Sequence, residues 1–133
     1  MITKIIGTGS SQGRRRVSNQ DLEQVVETSD EWIHSRTGIS SRYVTEGEGI
    51  KAMAAEAAEK ACIQAGISPK EVELILVATS TPECCFPSTA CQVQGEIGAE
   101  GAAAFDISAA CSGFIFALHT ANSFLVSGTY KTA

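Results

Sequence analysis

The apolar positions fall into short continuous runs and longer helical-period stretches, separated by glycine, proline and serine. Residues 2–8, with Ile5 and Ile6 ahead of Gly7 and Gly9, predict a first strand that opens into a loop. Ser18-Asn19 predicts the cap of a short helix whose inner face includes Leu22, Val25 and Val26. Ser29-Asp30-Glu31 starts a second helix with acidic residues in its first turn, and Gly38 stops it. Residues 50–65, rich in alanine with Glu and Lys between, predict a third helix ended by Gly66. Ser68-Pro69-Lys70-Glu71 has the form of a capping box with proline at the first helical position. Leu74-Ile75-Leu76-Val77-Ala78 is the continuous run of a strand buried on both faces, as in a parallel sheet covered by helices. Pro87 predicts the start of another helix, closed near Gly98, and residues 102–107 a third strand. Residues 111–126 predict a helix apolar over most of its circumference, with Phe114, Ile115, Leu118, Ala121 and Leu125 expected inside. Gly128 stops it, and residues 129–133 lead toward a further strand.

Strand alternating with helix predicts an α/β class with right-handed crossovers. At 133 residues the chain has the size of one domain and no internal repeat or linker. Its apolar runs are far shorter than the ~20 residues of a membrane span, and its start shows no secretion signal. Five cysteines without a framework spacing predict free thiols in a reducing, cytoplasmic setting. The net charge of −5 argues against a nucleic-acid binder. Arg14-Arg15-Arg16 is the local exception, read as a solvated loop or as a contact for an anion such as a CoA phosphate or an acidic carrier protein.

The sharpest chemical feature is Cys111, in Phe105-Asp106-Ile107-Ser108-Ala109-Ala110-Cys111-Ser112-Gly113-Phe114. Small residues at a strand-to-helix junction let the chain reverse tightly and place the sulfur at the first turn of a helix. Unpaired backbone N–H groups and the helix dipole there favour the thiolate, the nucleophilic form. A small cysteine simply packing the junction is the competing reading.

This segment resembles the nucleophile segment of β-ketoacyl-acyl carrier protein synthase III, a condensing enzyme of the thiolase-like superfamily. Three further stretches occur in the family's order. They are Lys4-Ile5-Ile6-Gly7-Thr8-Gly9-Ser10, Thr28-Ser29-Asp30-Glu31-Trp32-Ile33 through Arg36-Thr37-Gly38-Ile39, and Phe86-Pro87-Ser88 through Cys91-Gln92. The resemblance implies a fold of α-β-α-β-α layers built from two similar halves. Residues 1–133 are then the N-terminal half, with the C-terminal half absent. Cys111 is implied as the acyl-accepting nucleophile toward a short acyl-CoA primer. Thr28, Trp32, Arg36 and Thr37 are implied to line the CoA nucleotide site. Phe86 is implied to reach across a homodimer interface and close the partner's acyl pocket. Malonyl-acyl carrier protein is the implied second substrate, and no metal or cofactor is implied. The family promotes decarboxylation with a His and an Asn that lie in the other half. The segment 11–16 departs from the family's apolar, proline-bearing stretch.

Beside these implications the residues carry readings of their own. Trp32 can be core, or its indole can stack an adenine while Arg36 pairs a phosphate. Phe86 can instead be a loop aromatic covering its own core. His34 reads as a surface residue and His119 as helix packing or a local hydrogen bond. Adjacent Cys84-Cys85, with Cys91, make a poor zinc site. Gly7-Thr8-Gly9 lacks the rest of a dinucleotide-binding fingerprint. Three functions remain open: initiation of type II fatty-acid synthesis, priming of a secondary-metabolite pathway, and a non-catalytic truncated chain.

Overall fold

The computed structural model describes residues 2–133, which form two compact units. Residues 12–48 make the smaller one. Strand β1 (Arg15–Ser18) pairs antiparallel with β2 (Ser41–Val44), in a register that sets Arg16 opposite Tyr43 and Val17 opposite Arg42. Arg15 and Arg16 therefore lie in a strand rather than a loop, with Arg14 just ahead of it. All three side chains are exposed. Arg14 pairs with Glu48 at 3.4 Å, and Arg16 Nε donates to Ser41 Oγ at 3.2 Å.

Ser18 caps α1 (Asn19–Glu23) in a reciprocal box with Asp21. The Ser18 backbone N–H and hydroxyl hold the Asp21 carboxyl below its usual range, with Arg15 and Arg16 adding attraction. The helix ends before Val25 and Val26, which are exposed rather than inward. Helix α2 (Asp30–Thr37) runs from its Ser29 cap to Gly38, which takes φ 70°. Both ends match the sequence reading.

The larger unit comprises residues 2–11 and 49–133. Helix α3 (Ile50–Ala65) packs on helix α4 (Thr89–Ile97), and α4 packs against strands β3 (Leu74–Ala78) and β4 (Ala103–Ile107). The two strands are parallel, with Leu74 opposite Ala103 and Val77 opposite Asp106. The core holds Ala55, Cys62, Val72, Val93, Ile97, Ala99 and Ala102. Alanine on α3 lets the helices approach closely, and Lys51 and Glu96 bridge their outer edge at 2.9 Å. A capping box at Ser68 and Glu71 shapes the 3-10 turn Pro69–Glu71, as its sequence predicts. Leu74 is buried, but the rest of β3 is only half-covered or, at Ala78, exposed.

Three expectations fail in this unit. Residues 2–8 form no strand. Their backbone instead lies against α3, where a Cβ on Gly7 would sit 2.3 Å from the Ala61 carbonyl oxygen. The Thr8 N–H turns to Gln64 Oε1 at 2.5 Å, so a side chain replaces a ladder partner. The helix after Pro87 begins two residues later, at Thr89, with Ser88 as its cap. The last helix, α5 (Gly113–Val126), begins after a separate 3-10 turn, Ala110–Ser112. Of its expected inner residues Phe114, Ile115 and Leu118 are exposed, while Ala121 and Leu125 are half-buried. One side of α5 meets β3 and β4, while Phe114, Ile115, Phe116 and Leu118 stay exposed.

Candidate active site

Strand β4 delivers the chain to Cys111 through a turn that sequence pattern alone leaves unspecified. Ala110 takes φ 45°, the left-handed region, at a cost of about 1–2 kcal/mol for a residue with a Cβ. The turn closes with Ser112 N–H donating to the Ala109 carbonyl at 3.1 Å. Gly113 then starts α5 in a buried position, where an added Cβ would lie 3.1 Å from the Ala78 Cβ. Glycine thus lets the helix begin against the end of β3. The result is an exposed Cys111 in the 3-10 turn just ahead of α5, rather than in the helix itself. Ser112 makes no side-chain cap, so no side chain competes for the helix's first N–H groups.

Asp106, five residues before Cys111, was not singled out from the sequence as a working residue. Its two carboxylate oxygens accept the backbone N–H groups of Thr89 at 2.8 Å and Ala90 at 2.7 Å. Ser88 Oγ accepts from Cys91 N–H at 3.3 Å, and the Ser88 carbonyl from Gln92 N–H at 3.0 Å. All four leading donors of α4 are satisfied, two of them by a residue of β4. Asp106 thereby fastens the start of α4, and the loop ahead of it, to the strand that carries Cys111. Phe86 stands in that loop with 88% of its surface exposed, so it does not cover a core of its own.

In the smaller unit Trp32 is 55% exposed, which rejects the core reading. The Arg36 guanidinium lies 4.9 Å from the centre of the Trp32 ring, a cation–π distance. Glu27, Thr28, Ser29 and Trp32 line an open cleft of about 300 Å³. Thr37 is outside that lining. Its hydroxyl donates to the Ile33 carbonyl at 2.7 Å and accepts from Ile39 N–H at 3.1 Å, closing the end of α2. The structure therefore groups Thr28, Trp32 and Arg36, and gives Thr37 a backbone role.

His34 is exposed, as expected, and His119 is exposed rather than packed. Cys84 and Cys85 are exposed free thiols, and no cluster of three or more metal-ligating side chains occurs among the described residues. No helix among those residues is long and apolar enough to cross a membrane.

Residues 105–133 match the family model of 3-oxoacyl-[acyl-carrier-protein] synthase III. The chain is 54% identical over 131 residues to β-ketoacyl-[acyl-carrier-protein] synthase III of Aquifex aeolicus, covering 98% of this chain and 42% of that protein. The chain is similar to the N-terminal part of these synthase III enzymes. It spans about two fifths of the length of the curated relatives it matches. The crystal structure of the Aquifex enzyme superposes with a TM-score of 0.93 over 96% of this chain and 41% of that one. The priming β-ketosynthase of the R1128 polyketide pathway superposes at 0.89 with 38% identity, over 92% of this chain and 37% of that one. The thiolase-like α/β fold implied by the motifs is thus the fold of the chain.

Proposed function

We propose that residues 1–133 are the N-terminal half of a 3-oxoacyl-acyl carrier protein synthase III, an acyltransferase that condenses a short acyl-CoA primer with malonyl-acyl carrier protein. The observation that carries this reading is the exposed Cys111, held on a strained turn between β4 and α5. In the first step its thiolate attacks the thioester carbonyl. The bond to the CoA sulfur breaks, CoA leaves as a thiol once protonated, and an acyl-cysteine remains. Gly113 N–H is taken by the Ala110 carbonyl, so in this reading the oxyanion of that step draws on the N–H groups that follow it in the first turn of α5, where no side chain caps the helix. In the second step the malonyl group loses CO2, and its carbanion attacks the acyl carbonyl and displaces the Cys111 sulfur. Neither His34 nor His119 matches a family motif, so the rest of the enzyme supplies the decarboxylating groups.

Thr28, Trp32 and Arg36 form one wall of the CoA nucleotide site in this reading, with the indole as stacking face and the guanidinium as phosphate partner. Thr37 supports that wall by closing α2. The working enzyme is a cytoplasmic homodimer, in which Phe86 of one subunit closes the acyl pocket of the other. The likeness to a priming ketosynthase favours a second reading, initiation of a secondary-metabolite chain.

The test is a complete synthase in which this chain replaces the matching part of the Aquifex enzyme. It should form acetoacetyl-acyl carrier protein from acetyl-CoA and malonyl-acyl carrier protein, and Trp32→Ala should weaken CoA binding about tenfold or more. A folded chimera without condensing activity contradicts the proposal. A preference for longer primers would favour the second reading.

A further inference from the structure

We propose that Glu83 is a positioning residue for Phe86 and so helps to set which primers are accepted; this rests on the reading of Phe86 as the acyl-pocket ring. With its ring almost wholly exposed, Phe86 has no packing of its own to fix its direction. The direction depends on the loop of residues 79–88. At its far end Gln92 Nε2 donates to the Pro87 carbonyl at 3.0 Å and to Cys84 Sγ at 3.2 Å. In its middle, Glu83 Oε1 accepts the N–H of Ile50 at 2.5 Å.

That contact ties the loop to a second helix. Ile50 is the first residue of α3, whose N-cap, Gly49, provides no side-chain cap. A Cβ on Gly49 would lie 2.3 Å from Glu83 Oε1, so glycine there makes room for the carboxylate that does the capping. A carboxylate at this position also complements the helix dipole. The Lys51 ammonium, hydrogen-bonded to Glu96, feels the attraction of Glu83 as well. Helix α3 is itself set in the core through Ala55 and Cys62. Only Cys84 and Cys85 separate Glu83 from Phe86. Release of Glu83 leaves the loop that carries the ring tied only through Gln92, to Cys84 and Pro87, and no longer to α3.

The experiment uses the same complete chimera and compares kcat/KM for acetyl-CoA with that for isobutyryl-CoA. Phe86→Ala should shift the ratio toward isobutyryl-CoA about tenfold, and Glu83→Ala about threefold or more in the same direction. Glu83→Gln, which keeps an acceptor oxygen, should stay near the parent ratio. Gly49→Ala, which expels the carboxylate without removing its charge, should repeat the Glu83→Ala shift and decides the question if Glu83→Ala does not fold. A merely structural Glu83 would lower kcat for both primers alike. An unchanged ratio in Glu83→Ala or Gly49→Ala, beside a shifted one in Phe86→Ala, overturns the inference. An unchanged ratio in Phe86→Ala overturns the reading of Phe86 itself, and the inference with it.

Discussion

The side chain of Asn19, fully buried, donates from Nδ2 to Asp30 Oδ1 at 2.7 Å and so binds the first helix of the smaller unit to the start of the second. The same Nδ2 donates to the Ile39 carbonyl at 2.7 Å, while Oδ1 accepts from Arg42 Nη2 at 2.7 Å. One amide thus joins α1, both ends of α2 and β2. The Trp32 face depends on it.

Asn19→Ala removes this partner from three polar groups, of which those on Asp30 and Arg42 belong to half-buried residues. It should cost about 2–4 kcal/mol, the range for several unsatisfied groups that can partly relax toward water. Trp32, the only tryptophan, reports the loss. Its fluorescence should unfold at lower denaturant in the variant than in the parent chain. An unchanged midpoint would mean that the smaller unit holds together without this amide.

Asp106→Ala removes two hydrogen bonds to a charged acceptor and strips the cap from α4. It should cost about 2–3 kcal/mol in denaturant titration. Asp106→Asn should cost less, because one carboxamide oxygen still accepts while the NH2 faces the other donor. Equal costs for the two variants would show that the second hydrogen bond contributes nothing.

Much of this was legible in the sequence, and the exceptions have a common cause. Ser29, Gly38, Gly66 and the Ser68 box mark their helix ends because capping is decided within a few residues. Cys111 stands out in the sequence because its segment resembles a family motif. Residues 2–8 and 15–18 mislead because a strand exists only where a partner lies beside it. The first segment meets a helix, and the second finds β2. The caps from Asp106 and Glu83 join residues 16 or more positions apart, which no local pattern encodes. In α5 apolar composition overstates burial, since Phe114, Ile115, Phe116 and Leu118 are exposed within these residues.

Burial raises the Cys62 thiol above its usual range, with nearby Glu59 adding to the shift. The sign follows from which state ionises first. As pH rises past the ordinary thiol value the unfolded chain loses its proton while the folded one keeps it, which favours unfolding. The stability linked to Cys62 is therefore full below the ordinary value and declines as pH rises toward the folded one. Cys62→Ala should flatten that part of the stability–pH profile, measured as denaturant midpoints from neutral to alkaline pH. An identical slope in the variant would contradict the assignment.

The account rests most heavily on Cys111 as the acyl acceptor. The direct measurement is to expose the complete chimera to acetyl-CoA without malonyl-acyl carrier protein, digest it under conditions that preserve thioesters, and locate the acetyl group by mass spectrometry. The account predicts one acetyl group on Cys111, absent in Cys111→Ala, with the exposed Cys84 and Cys85 unmodified. Acetyl on Cys84 or Cys85, or a folded protein that carries none, would contradict it.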